Sequence, residues 1–125
     1  MQPIARQVGG ILARLRDLLD TGRVGAAGVS NYSLDRWRKA DAALGRPVIS
    51  NQVHFSLAHC APLEDIVPFA EANNRMVMAY SPLDEGDLVR HPVLARIGQR
   101  HGATAAQVAL AWTLSRPGVM TVPKA

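Results

Sequence analysis

The stretch Gly22-Arg23-Val24-Gly25-Ala26-Ala27-Gly28-Val29-Ser30-Asn31-Tyr32 decides how the rest of the chain is read. Val24 to Val29 is small, apolar and uncharged. It predicts a strand buried on both faces, with glycines where a neighbour comes close. Upstream, Ile4, Val8, Ile11, Leu12, Leu15, Leu18 and Leu19 recur at helical spacing. Thr21-Gly22 ends that helix, because glycine takes the left-handed position after a helix at little cost. Downstream, Ser33 is an N-cap with Asp35 in the first turn, and the helix it starts ends before Gly45.

The unit then recurs. Pro47 to Val53 predicts a second strand, and a loop around His59-Cys60 leads to a helix that opens at Pro62. Glu64 and Asp65 lie in that helix's first turn and Asn73-Asn74 ends it. Met76 to Ala79 is a third strand, and a loop from Ser81 to His91 follows. Pro92 opens a helix closed by Gly102, and Thr104 with Gln107 forms a capping box for the next. That helix carries its apolar stripe on Ala105, Val108, Ala111 and Trp112 and stops at Pro117-Gly118. Val119 to Val122 is a fourth strand. Strands alternating with helices predict an α/β fold of parallel βα repeats in a single domain over 1–125. The strand-to-strand spacing of about two dozen residues suits a barrel as well as a doubly wound sheet.

Composition sets bounds on function. The 125 residues are 48% hydrophobic and 19% charged, a globular balance that excludes disordered and fibrous classes. The net charge of +4 rests on 12 arginines and two lysines scattered along the chain. No basic run is interleaved with stacking aromatics, so no nucleic-acid partner is expected. The N-terminus has no apolar run of the signal-peptide kind. The longest uncharged stretch, Pro47 to Leu63, carries Ser, Asn, Gln and His and cannot cross a bilayer. No membrane partner is expected. The single cysteine, Cys60, forbids an intrachain disulfide and fits a cytoplasmic location.

The polar residues gather at the strand ends. Ser30-Asn31 closes the first strand, Gln52 and His54 the second, Tyr80-Ser81 the third and Lys124 the fourth. In parallel α/β folds these ends open on one face, where ligands bind. Asn31 and Gln52 each donate and accept hydrogen bonds, which suits a primary amide. The Tyr80 ring suits a planar heterocycle, and Lys124 suits a phosphate. Taken singly, each has a plain alternative as a turn, a cap or a solvated side chain. Gly25-Ala26-Ala27-Gly28 is not a dinucleotide-binding fingerprint, and no P-loop is present. His54, His59 and Cys60 match no zinc spacing, so no metal is expected, and Cys60 reads as a half-buried loop thiol. His91 and His101 sit at helix ends, where a capping role suffices.

Four blocks resemble the aldo-keto reductase family. Gly22 to Tyr32 is similar to that family's "GK-[VI]-R-x-[IL]-G-V-S-N-[FY]" segment, and Ser50-Asn51-Gln52-Val53-His54-Phe55 to its "x-N-Q-[VI]-x-[YF]". Met78-Ala79-Tyr80-Ser81-Pro82-Leu83 resembles "x-A-Y-S-P-L", and the fourth block runs from Ala105 to Val122-Pro123-Lys124. The resemblance implies half of a (β/α)8 barrel, strands 5 to 8, from an NADP(H)-dependent reductase of aldehydes and ketones. It implies that Ser30, Asn31 and Gln52 hold the nicotinamide carboxamide and that Tyr80 stacks on the ring. Ser81 and Leu83 match positions lining the pyrophosphate, and Lys124 matches one that meets the adenosine 2′-phosphate. A whole barrel takes about 250 residues. The family's catalytic Asp, Tyr, Lys and His belong to its other half and match nothing in this chain, so no catalytic residue is assigned.

Three functions are weighed on this basis: an oxidoreductase segment inactive by itself, a non-catalytic NADP(H)-binding or partner-pairing module, and an enzyme using His54 or Cys60. The carbonyl substrate belongs to the complete barrel. Bare sheet edges make self-association a further expectation.

Overall fold

The computed structural model describes residues 3–123. In chain order the elements are α1 (Pro3–Asp20), β1 (Gly28–Ser30), α2 (Leu34–Leu44), β2 (Ser50–His54), α3 (Ile66–Ala72), β3 (Met76–Tyr80), α4 (Pro92–Arg100), α5 (Ala105–Thr113) and β4 (Val119–Val122). The strands form one sheet in the order β1-β2-β3-β4, and every neighbouring pair is parallel. A doubly wound sheet reverses its strand order at a switch point, and this one does not. The unbroken order is that of consecutive strands in a (β/α)8 barrel.

Local chemistry sets most element ends where the sequence places them. The Ser33 hydroxyl accepts from Arg36 N at the start of α2, and Gly45 ends it with φ 67°. Thr104 and Gln107 cap α5 reciprocally, each side chain accepting from the other's backbone N–H. His91 Nδ1 accepts from Val93 N, which gives α4 its N-cap.

Five expectations need correction. The strand expected over 24–29 is confined to Gly28–Ser30, because Arg23 N and Val24 N donate back to Leu18 O and extend the end of α1 instead. Nor is that strand buried on both faces: Gly28 and Ser30 are exposed and Val29 is half-buried. The second strand starts at Ser50, not Pro47. The Val48 N–H is taken by Asp41 Oδ1, and its carbonyl accepts from Trp37 Nε1 and Arg75 Nη1. Pro62 lies in a short 3-10 turn, Ala61–Leu63, and α3 begins after Asp65, whose carboxylate accepts from Ile66 N at 2.6 Å. The 81–91 loop is largely a 3-10 stretch, Asp84–Arg90, broken where Glu85 and Gly86 take φ of 56° and 98°.

Helices cover one face of the sheet. Trp37, Ala40 and Leu44 of α2 and Ile66, Val67 and Ala70 of α3 pack with Val53, Val77, Ala79 and Val119 in the main core. At the N-terminal end of the strands, Arg75 grips both Asp41 oxygens, at 3.0 and 3.1 Å, and donates to Val48 O at 2.9 Å. This arginine is nearly buried, and its bidentate geometry satisfies the charge. A second cluster of Leu88, Leu94, Ala105 and Ala109 fastens the 84–90 segment to α4 and α5. Gly98 lets α4 pass against the next turn, since a Cβ there would collide with the Ala103 carbonyl oxygen. We expect Gly98→Ala to cost about 1–3 kcal/mol. A lowered urea midpoint checks this, and an unchanged one refutes it.

Candidate functional site

Strand side chains alternate between faces, and parallel register carries that alternation across the sheet. Asn51, Val53, Val77, Ala79 and Val119 are buried on the helix side. Gly28, Ser50 and Met76 align across the other face, as do Ser30, Gln52, Met78 and Met120, and His54, Tyr80 and Val122 align at its end. These residues are half-buried or exposed. The open face therefore carries the polar strand-end residues, with methionines between them.

The structure brings four of the predicted site residues together. The Asn31 backbone N–H donates to Gln52 O at 2.8 Å, and Ser30 Oγ donates to the same carbonyl at 3.3 Å. Tyr80 Oη donates to Asn31 Oδ1 at 2.9 Å, linking the ends of β1 and β3 across β2. Asn31 adopts φ 57°, a left-handed conformation that asparagine tolerates better than most residues. None of the hydrogen bonds among the described residues uses the Gln52 carboxamide.

Ser81 and Leu83 lie further along. With Tyr80, Pro82, Glu85, Gly86, Val122 and Pro123 they line a hollow of about 720 Å³. Ser81 holds φ 49°, and Leu83 also packs against the second core cluster, so it contributes wall rather than donor. Glu85 puts a carboxylate on this rim. Lys124 lies outside the described residues. Cys60 is exposed rather than half-buried, with its thiol directed at Leu57 O at 3.2 Å. Among the described residues no group of three or more His, Cys, Asp or Glu is placed to hold a metal ion, and no helix is long and apolar enough to cross a membrane.

Two arrangements escape the sequence reading. Asn51 is fully buried on the helix side, where its Nδ2 donates to Tyr32 O at 2.8 Å and its Oδ1 accepts from Tyr32 N at 3.3 Å. It thereby clamps the turn that presents Asn31. The available signal is the pair Asn51-Gln52 itself, since adjacent strand residues must face opposite ways. The other arrangement is a stack of three rings. His54 lies 4.0 Å from His59 and 5.5 Å from Tyr80, with interplanar angles of 10° and 17°. No spacing rule foretells this, because His59 arrives through the turn that pairs Ser56 with His59.

The profile of the Aldo/keto reductase family matches residues 8–124. The chain belongs to the aldo-keto reductase family. An uncharacterized oxidoreductase of Mycobacterium tuberculosis is 54% identical over 92% of this chain and 45% of its own length. The methylglyoxal reductase YeaE of Escherichia coli is 33% identical over 91% of this chain and 42% of its own. Among solved structures, a thermostable aldo-keto reductase in complex with the inhibitor epalrestat superposes with a TM-score of 0.83 at 31% identity, covering 91% of this chain and 43% of that one. An aldo/keto reductase from Klebsiella pneumoniae in complex with NADP and acetate gives 0.73 at 32%, covering 87% and 41%. This aldo-keto reductase chain spans less than half the length of these relatives, and its sheet is part of the family's (β/α)8 barrel.

The opposed amides separate by substitution. Asn51→Leu strands both Tyr32 backbone groups and should cost about 1–3 kcal/mol. Gln52→Leu on the open face should stay within about 0.5 kcal/mol. Urea unfolding of the two variants checks the contrast.

Proposed function

We propose that this chain carries the nicotinamide-binding half of an NADP(H) site, and that the site serves reduction of aldehydes and ketones in a complete barrel. The observation that carries the reading is the convergence of Ser30, Asn31, Gln52 and Tyr80 on one open strand end, tied by the Tyr80–Asn31 hydrogen bond. The uncommitted Gln52 amide and the Asn31 amide suit a primary carboxamide, which needs one donor and one acceptor. The Tyr80 ring beside them suits the flat face of a pyridine. These residues would hold a reduced nicotinamide, whose contribution there would be a hydride for a carbonyl carbon.

The chain's own residues would hold and orient that ring. Ser81 and Leu83 would line the pyrophosphate, with Glu85 opposing the anion, and Lys124 would meet the 2′-phosphate. The carbonyl oxygen needs an acid as it gains charge. The Tyr80 hydroxyl is already donated to Asn31, and the family's catalytic set has no counterpart in this chain, so turnover belongs to the whole barrel. Relatives named as oxidoreductases and neighbours bound to NADP support the assignment.

A second reading, a non-catalytic NADP(H)-binding or partner-pairing module forming a single domain over 1–125, is favoured by one observation. The outer edges of β1 and β4 pair with no other strand among the described residues.

Titration of the 125-residue chain with NADPH, followed by cofactor fluorescence, tests the assignment. Saturable binding without oxidation on adding an aldehyde is expected. Tyr80→Ala should weaken binding about tenfold, or about 1.4 kcal/mol, through loss of the ring. Tyr80→Phe keeps the ring and should weaken it only about threefold. No saturation up to millimolar NADPH overturns the reading.

A further inference from the structure

His54 stands out on the open face as a titratable group that the cofactor reading leaves unused. Its ring stacks with both His59 and Tyr80, the latter proposed above as the ring platform. Its Nε2 is buried and has no hydrogen-bond partner among the described residues. That nitrogen lies 3.5 Å from Asp84 Oδ1, the first residue of the Asp84–Arg90 segment. A neutral imidazole can offer Asp84 at most one Nε2–H hydrogen bond, whereas a protonated one adds the attraction of an ion pair.

Other charged groups bear on the same spot. His59 stacks on the ring at 4.0 Å, and Glu64 and Asp65 share with His54 a hollow of about 560 Å³. Glu85 follows Asp84 on the broken 3-10 stretch. Most of the nearby charge is acidic, and Asp84 is the acid that meets Nε2. The Asp84–Arg90 segment is held on its other side by Leu88 in the second core cluster, and the His54 contact joins its first residue to the end of β2.

We propose that His54 is a positioning residue: its ring fixes the plane of Tyr80, and its protonation by solvent joins it to Asp84 and draws the 84–90 segment onto the strand ends. The first part deepens the NADP(H) reading and rests on it only where cofactor affinity is measured. The second part concerns the protein alone.

The test uses the 125-residue chain with ring-labelled tyrosine and backbone nitrogen labels, followed by NMR from about pH 8 to about pH 5, the span in which imidazoles ionise. Only Tyr32 and Tyr80 give tyrosine ring signals, and Tyr80→Phe assigns them. On lowering the pH, the Tyr80 ring signal and the amides of 84–90 should move together in the parent. Both responses should vanish in His54→Phe, which keeps a stacked ring without a charge. They should persist in His59→Phe. Asp84→Asn should keep the ring response and lose that of the segment. In NADPH titrations His54→Ala should bind about three- to tenfold more weakly, while His54→Phe stays within about twofold.

A Tyr80 signal and 84–90 amides that behave alike in the parent and His54→Ala overturn the proposal. Equal NADPH affinity in those two proteins overturns the positioning role. If the parent binds no NADPH but the ring and amide responses appear as described, the cofactor reading fails and the His54–Asp84 coupling stands.

Discussion

The arrangement depends on parallel register. Once Gly28, Ser50 and Met76 align, the two-residue period of a strand sends Ser30, Gln52, Met78 and Met120 to one side and Asn51, Val77 and Val119 to the other. A slip of one residue would turn Gln52 into the core and Asn51 onto the open face. The core prevents this. Asn51 is satisfied only where it reaches the backbone of Tyr32, and the apolar residues beside it are needed under α2 and α3.

That division explains how a polar site sits on a thin sheet. One face is sealed by helices, and its hydrogen bonds are committed to structure. The other keeps the Gln52 amide uncommitted and the Tyr80 ring at the end of its strand. The Tyr80–Asn31 bond spans β2 and ties the site to two loops at once. It holds the left-handed Asn31 in place, a conformation whose backbone cost the surrounding hydrogen bonds offset.

Much of this was legible in the sequence, for identifiable reasons. Caps are local: Ser33, Gly45 and the Thr104–Gln107 box act within a single turn, so their chemistry is visible in a few consecutive residues. Strand ends were legible because parallel topology turns sequence order into spatial convergence. The Val24–Val29 stretch misled because a small apolar run reads as a buried strand, while the end of α1 captured the Val24 N–H. The role of Arg75 was not legible because its partners, Asp41 and Val48, are distant in sequence and meet it only after folding. The His59–His54–Tyr80 stack was hidden because it forms only once the Ser56–His59 turn and the β2–β3 register are in place.

The Arg75–Asp41–Val48 junction has a further consequence. It joins α2 to the starts of β2 and β3, at the end of the sheet opposite Asn31, Gln52 and Tyr80. Cohesion and the proposed cofactor site thus occupy opposite poles. Mutational drift in the loops beyond Ser30, His54 and Tyr80 leaves this anchor untouched, whereas a change at Arg75 is felt by α2, β2 and β3 together. A lineage built on this half-barrel can diversify at one pole because the other is held fixed.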